Sequence, residues 1–403
     1  MIKAEDIIQI ALQLSSHLLN NTKKLTSLEI EGNQWALKFS DKLTCSEADN
    51  IAIFIRFILQ AHSRIIPPNL SNNVLMAHLS LLAPTLPIDF IPIIGEALSQ
   101  DESLRLSDVQ TLQQRLQLAL QLNEDRLKKP QETSYHWDIG FDTHIGRRKS
   151  WSSQTNEDNF FYAVHNQVSL LVVADGISTC TAGSGDIASK IAIHVAHHFW
   201  EQFKDEYTSM SLQELRIHVI TLLDNINYTI CEMTKEMTSD ELHNVVPMGT
   251  TIVLALAQGS DVTIASLGDS RVYALLESGV AQLTGDQNVR GEKLRHHLPL
   301  DSEDGGKALL RFLGRFSPDN YESNMLPPDI TTVRLLPNES LLLCSDGVTD
   351  YIAQNYDQCN HMLSQAGKLS TPMETCWELT KLSNRGGGGD NITSIFARLH
   401  LDD

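Results

Sequence analysis

Four aspartates in this chain stand at the edges of short β-branched and aliphatic runs, and that placement restricts the fold more than any other feature. Asp175 follows Leu170-Leu171-Val172-Val173-Ala174, Asp269 follows Ile264-Ala265-Ser266-Leu267-Gly268, Asp346 follows Leu341-Leu342-Leu343-Cys344-Ser345, and Asp390 comes just before Ile392. A fifth, Asp158, follows Glu157 ahead of Phe160-Phe161-Tyr162. Runs of this kind read as buried strands. If the strands pair, their acids share one rim. Like charges about 4 Å apart repel by roughly 4 kcal/mol at an effective dielectric of about 20, so such a rim holds protons or cations. Carboxylates are hard ligands that favour magnesium, manganese or calcium over zinc. Gly176 and Gly347 follow Asp175 and Asp346 directly, while Gly268 and Gly389 precede Asp269 and Asp390. One Asp-Gly pair is an ordinary turn signal, but its repetition at strand ends points to a site.

The strand texture fills only part of the chain. Up to about residue 128, apolar residues recur at helical spacing, in Ile7, Ile8, Ile10, Ala11 and Leu14 and again from Ile51 through Leu59. Ser46 and Ser107 sit where helix caps belong, and a last helix runs from near Asp108 to Leu127, ending in Lys128-Lys129-Pro130. Gln131 to Tyr135 reads as a linker. Beyond it, strands at 168–174, 251–257, 262–267, 340–344 and 392–399 alternate with helical patterns at 186–203 and 211–237. The expected organisation is therefore an all-α N-terminal domain over residues 1–130, with a regulatory or targeting role, followed by an α+β domain over 136–403.

At 403 residues the chain is long enough for two cores. A formal net charge of -19 disfavours a nucleic-acid backbone or an anionic membrane as partner. Six scattered cysteines without a CxxC pair read as reduced thiols. The most apolar long stretch, Val74 to Leu98, carries His78, Asp89, Glu96 and three prolines, which argues against a bilayer span. Within it, Leu86 to Pro92 reads as a kinked packing segment. The N-terminus lacks a signal-peptide pattern, so the expected location is cytoplasmic.

Seven segments, Asn156-Glu157-Asp158, Ala174-Asp175-Gly176, Met248-Gly249-Thr250-Thr251, Gly268-Asp269-Ser270-Arg271, Leu283-Thr284-x-Asp286, Cys344-Ser345-Asp346-Gly347 and Gly389-Asp390-Asn391-Ile392-Thr393, resemble in order the motifs of metal-dependent type 2C serine/threonine phosphatases. The resemblance begins at about residue 136. It implies an antiparallel β-sandwich flanked by helices, and a phosphoprotein phosphatase in which a water bridging two cations, Mn²⁺ or Mg²⁺, attacks phosphorus. By the same resemblance Asp175 bridges both ions, the Gly176 carbonyl helps hold the first, and Asp346 and Asp390 hold the second. Asp269, with Asp346, matches a third metal position, and Asp158 and Glu157 sit beside the site.

Three departures accompany the match. The family's phosphate-binding arginine falls at Ser153 here, with Gly146-Arg147-Arg148-Lys149 just upstream, so Arg147 or Arg148 is the expected phosphate clamp. Ser178-Thr179 replace two glycines, and Gly183 and Gly185 arrive two residues late. Ile177 stands where some members carry a histidine. An inactive phosphatase-like domain that binds phosphoproteins is the alternative reading. A protein partner of the N-terminal helices is expected in either case. His194, His197 and His198 share one helix at spacings of three and four and read as a solvated face.

Overall fold

The computed structural model describes residues 2–19, 21–31, 34–63, 66–67, 69–128, 134–152, 155–238, 242–300, 308–317 and 319–402. Pro130, the linker over 131–133 and Ser153 lie outside the described residues. The chain forms two compact units.

The first unit comprises Met1–Pro130 with two later segments, Leu276–Gln282 and Asn355–His361. Its helices are α1 (Ile7–Ser15), α2 (Glu47–His62), α3 (Asn72–Ala77), α4 (Leu79–Leu82), α5 (Ile91–Leu98) and α6 (Val109–Leu127). Helix α2 begins where expected: the Ser46 hydroxyl accepts the Asp49 N–H at 3.1 Å, and its apolar stripe buries Ile51, Phe54, Ile55, Ile58 and Leu59. The cap of α6 is Asp108, whose Oδ1 accepts the Thr111 N–H at 2.7 Å, and not Ser107, whose hydroxyl turns to Asp108 Oδ2. The all-α expectation is corrected at one place. Strands β1 (Lys23–Glu31) and β2 (Gln34–Thr44) form an antiparallel hairpin between α1 and α2.

The packing reading of Leu86 to Pro92 agrees with the structure, since Phe90 and Ile91 are buried. Asp89 in this segment is fully buried and grips Arg126 of α6 through a fork, Nε to Oδ2 at 2.7 Å and Nη2 to Oδ1 at 2.9 Å. The Ser278 hydroxyl donates to Asp89 Oδ1 at 2.9 Å, and Asp357 Oδ2 accepts from Ser99 Oγ and the Gln100 N–H, both at 3.0 Å. The two later segments thus satisfy polar groups of the helices. Among the described residues no helix is long and apolar enough to cross a membrane.

The second unit comprises Gln131–Leu275, Leu283–Gln354 and Met362–Asp403. Its elements, in chain order, are β3 (Tyr135–His144), β4 (Asp158–His165), β5 (Val168–Asp175), α7 (Gly185–Phe203), α8 (Leu212–Met237), β6 (Ile252–Gln258), β7 (Asp261–Leu267) and β8 (Arg271–Leu276). The chain then passes through β9 (Gly279–Gln282) of the first unit, followed by α9 (Val289–Arg295), β10 (Asp329–Arg334), β11 (Ser340–Cys344), α10 (Asp346–Ile352), α11 (Tyr356–Ala366), α12 (Pro372–Arg385) and β12 (Ile392–Leu401). One antiparallel sheet runs β10-β7-β6-β5-β4, and β3-β12-β11-β8 are neighbours in the other. Strands β11 and β12 pack across β4, β5 and β6, giving an antiparallel sandwich. Helices α7 and α8 cover the first sheet through Ala188, Ala192, Ala196, Leu215, Leu222 and Ile226. None of the six cysteines is joined in a disulfide.

Candidate active site

Strand register places the first two acids. In the β4–β5 ladder Asp158 stands directly opposite Asp175, so both lie at one end of their sheet. Every residue of β5 before Asp175 is buried, which leaves the strand end as the place where a carboxylate reaches solvent or a ligand. The chain then doubles back, with the Gly176 N–H donating to the Glu157 carbonyl at 3.1 Å. A Cβ on Gly176 would lie 2.2 Å from the Gly185 carbonyl oxygen, so only glycine lets the start of α7 come this close to the strand end.

One hydroxyl joins the two sheets at this rim. Ser345, which links β11 to α10, donates to Asp158 Oδ2 at 2.7 Å and accepts the Thr393 N–H at 3.1 Å. Asp346 opens α10 immediately after it. Asn391 makes a second link: its Oδ1 accepts the Glu157 N–H and its Nδ2 donates to the Ile145 carbonyl, both at 2.9 Å. Asp390 is thereby fixed beside Glu157, and its Oδ1 accepts the Asn391 N–H at 2.9 Å. Asp269 follows β7, next to Ser270, whose hydroxyl meets Thr251 Oγ1 at 2.7 Å. Arg271 is forked onto Asp286 by two bonds of 2.8 Å and also reaches Thr349 and Asp350 of α10, which ties the Asp269 loop to the Asp346 helix.

The acids feel one another. Burial first, then the charges of Asp158, Asp346, Asp269 and Asp390, hold the Asp175 carboxyl well above the usual carboxylate range. Burial and the charges of Asp269, Asp350 and Asp390 do the same to Asp346, against a smaller opposing effect of Arg271. Burial pushes Asp158 up to about 6 despite the hydrogen bond from Ser345. Burial and Asp286 push Asp269 up to about 7. Asp158 Oδ1 is buried without a hydrogen-bond partner. Buried carboxylates that repel one another, with an acceptor left over, fit divalent cations. Among the described residues no three His, Cys, Asp or Glu side chains close into a cage by themselves. A cation held here would therefore complete its shell with water and with carbonyls such as that of Gly176, as magnesium does.

These shifts set a pH dependence. Carboxyls whose folded pKa lies above the unfolded value, about 4, bind extra protons in the folded state, so their stabilising contribution is present below about pH 4 and is lost as pH rises through the folded pKa. Metal-stripped protein should therefore lose melting temperature as pH rises from about 4 to about 7, and Asp269→Asn should flatten that slope. A slope unchanged by the substitution would count against the repulsion.

The basic run Arg147-Arg148-Lys149 turns its side chains in different directions. Arg147 and Arg148 are exposed on a turn, their backbone N–H groups donating to Asn384 Oδ1 and the Gly388 carbonyl, both at 2.7 Å. The basic side chain that meets the acids is their neighbour Lys149, whose Nζ lies 2.7 Å from Asp390 Oδ1 and 3.4 Å from Glu157 Oε2. Those two acids, helped by hydrogen bonding, keep its pKa raised although burial opposes it. Sequence reasoning missed Lys149 because which member of Arg147-Arg148-Lys149 turns inward depends on the turn. His194, His197 and His198 are exposed on α7, with the His197 ring tilted against that of Phe161.

The profile of the protein phosphatase 2C family matches residues 145–379. The chain belongs to the protein phosphatase 2C family. The stp serine/threonine phosphatase of Listeria monocytogenes serotype 4b is 31% identical over 255 residues, covering 61% of this chain and 91% of that protein. Its counterpart in Listeria welshimeri is 30% identical over 253 residues, with the same coverage. Among solved structures, the catalytic domain of the serine/threonine phosphatase PstP, in complex with two manganese ions, superposes with a TM-score of 0.51 at 21% identity, covering 66% of this chain and all of that one. The protein phosphatase 2C match starts at residue 145, so the N-terminal helices lie outside it.

Proposed function

We propose that this chain is a metal-dependent protein phosphatase that hydrolyses phosphoserine and phosphothreonine. The observation that carries the reading is the convergence of Asp158, Asp269, Asp346 and Asp390 on Asp175, acids far apart in sequence. Family membership and the relatives named as serine/threonine phosphatases supply the reaction class.

Asp175, the Gly176 carbonyl, Asp346 and Asp390 would hold two cations, Mn²⁺ or Mg²⁺. Asp269, with Asp346, would serve a third position, and Asp158 would bind through water. When bound, the ions neutralise phosphoryl charge and lower the pKa of water toward about 7. The chain's own contribution is positional. Ser345 and Asn391 lock the acids of two sheets to one rim, and Arg271 fixes the loops around Asp269 and Asp346. Arg147 or Arg148, exposed on the turn that carries Lys149, would bind the substrate phosphate by a charge-assisted fork.

The helical first unit would regulate or target the enzyme through a protein partner, and the setting would be cytoplasmic signalling. The strongly acidic chain suits substrates with basic flanks. The reading predicts that EDTA abolishes release of phosphate from p-nitrophenyl phosphate and from a phosphothreonine peptide, and that added manganese restores it. Turnover that survives chelation would overturn it. Binding of the phosphopeptide without turnover at any manganese concentration would favour an inactive binding module instead.

A further inference from the structure

Lys149 is built into the metal rim in a way that the proposed reaction does not use. The turn that carries it is stapled to the glycine loop that presents Asp390: the N–H groups of Arg148 and Lys149 both donate to the Gly388 carbonyl, at 2.7 and 3.1 Å, and the Arg147 N–H reaches Asn384. A Cβ on Gly146 would lie 2.0 Å from the Asp390 carbonyl oxygen, so the two backbones are in direct contact. The lysine is thus delivered to Asp390 by the fold itself. Its side chain is only 18% exposed, and its ammonium spans Asp390 and Glu157.

Asp390 Oδ1 already accepts two donors, the ammonium and the Asn391 N–H. A cation that takes Oδ1 must displace one of these donors, whereas Oδ2 accepts neither of them. A dication at this carboxylate would in addition stand close to a fixed positive charge. We propose that Lys149 is a positioning residue that holds Asp390 and Glu157 together and whose fixed charge weakens the affinity of that position for a divalent cation. The inference rests on the phosphatase reading above, since it takes Asp390 as a metal ligand.

Lys149 therefore acts as an internal competitor. The metal-free fold needs it, because without it Asp390 and Glu157 face each other unscreened. The metal-loaded fold is better without it. Replacing the ammonium by an uncharged side chain should act in opposite directions on the two states, an outcome that simple loss of a structural contact does not produce.

The test is calorimetric titration of manganese chloride into metal-stripped full-length wild type, Lys149→Met and Lys149→Arg, paired with melting temperatures with and without the metal. Lys149→Met should bind manganese about tenfold more tightly at the affected position, melt lower without metal and gain more from its addition. Lys149→Arg, which keeps the charge, should stay within about twofold of wild type. Unchanged or weaker binding by Lys149→Met, beside a wild type that binds manganese, would overturn the inference alone. A wild type that takes up no manganese would overturn the phosphatase reading and this inference with it. If Lys149→Met does not fold, Lys149→Gln provides the same comparison.

Discussion

Asp175→Asn should lose manganese-dependent phosphatase activity by about a thousandfold or more, the scale on which removal of one electrostatic element of a hydrolytic site acts, while gaining thermal stability without metal. The two effects share one cause. Asp175 is the carboxylate on which the charges of Asp158, Asp346, Asp269 and Asp390 converge, and the amide is nearly isosteric but uncharged. The loss of a repelled, buried carboxylate relieves the metal-free fold, whereas the loss of the central ligand removes the reason for the cluster. A stability gain with activity loss is the pattern of a site that costs its own fold something. An inactive variant that also melts lower would point to a structural role, and retained activity would remove Asp175 from the metal site.

The second large effect is expected in the helical unit, at a pair outside the cluster of acids. Asp89→Ala should destabilise the protein by about 3–5 kcal/mol, read as a drop in the urea midpoint of that unit, because it leaves the Arg126 guanidinium buried without its counter-charge. The side chains of Asp89 and Arg126 are 0% and 6% exposed, so solvent cannot replace the lost partner. The double substitution of Asp89→Leu with Arg126→Met should recover most of the loss, since an ion pair replaced by apolar groups of similar volume leaves no orphan charge. A single-variant loss below about 1 kcal/mol would mean that water reaches Arg126 after all.

The two sites differed in how far the sequence could be read. The strands that lead to Asp175 and Asp346, the helices at 186–203 and 211–237, and the Ser46 cap follow from local pattern, and local pattern is what the structure keeps there. The hairpin of β1 and β2 had a signal that the helical reading passed over. Leu28 and Ile30 alternate with Glu29 and Glu31, and Trp35, Leu37 and Phe39 with Ala36 and Lys38, on either side of Gly32-Asn33. Ser107 lost the cap to Asp108 because both residue types cap helices and the choice is made by one residue of phase. Lys149, the Ser345 bridge and the Asp89–Arg126 pair were not legible, because each joins residues distant in the chain through one side-chain geometry.

The presence of Leu276–Gln282 and Asn355–His361 in the first unit bears on the birth of the molecule. Ser278 and Asp357 are polar partners of Asp89, Ser99 and Gln100, yet the ribosome makes them long after those residues have left the exit tunnel. The helices translated first must wait, incompletely satisfied, until most of the sandwich has been synthesised. Maturation of the amino-terminal part is therefore coupled to completion of the hydrolase, and a nascent chain halted before residue 361 would be an incomplete substrate for folding and a ready one for chaperones or proteases.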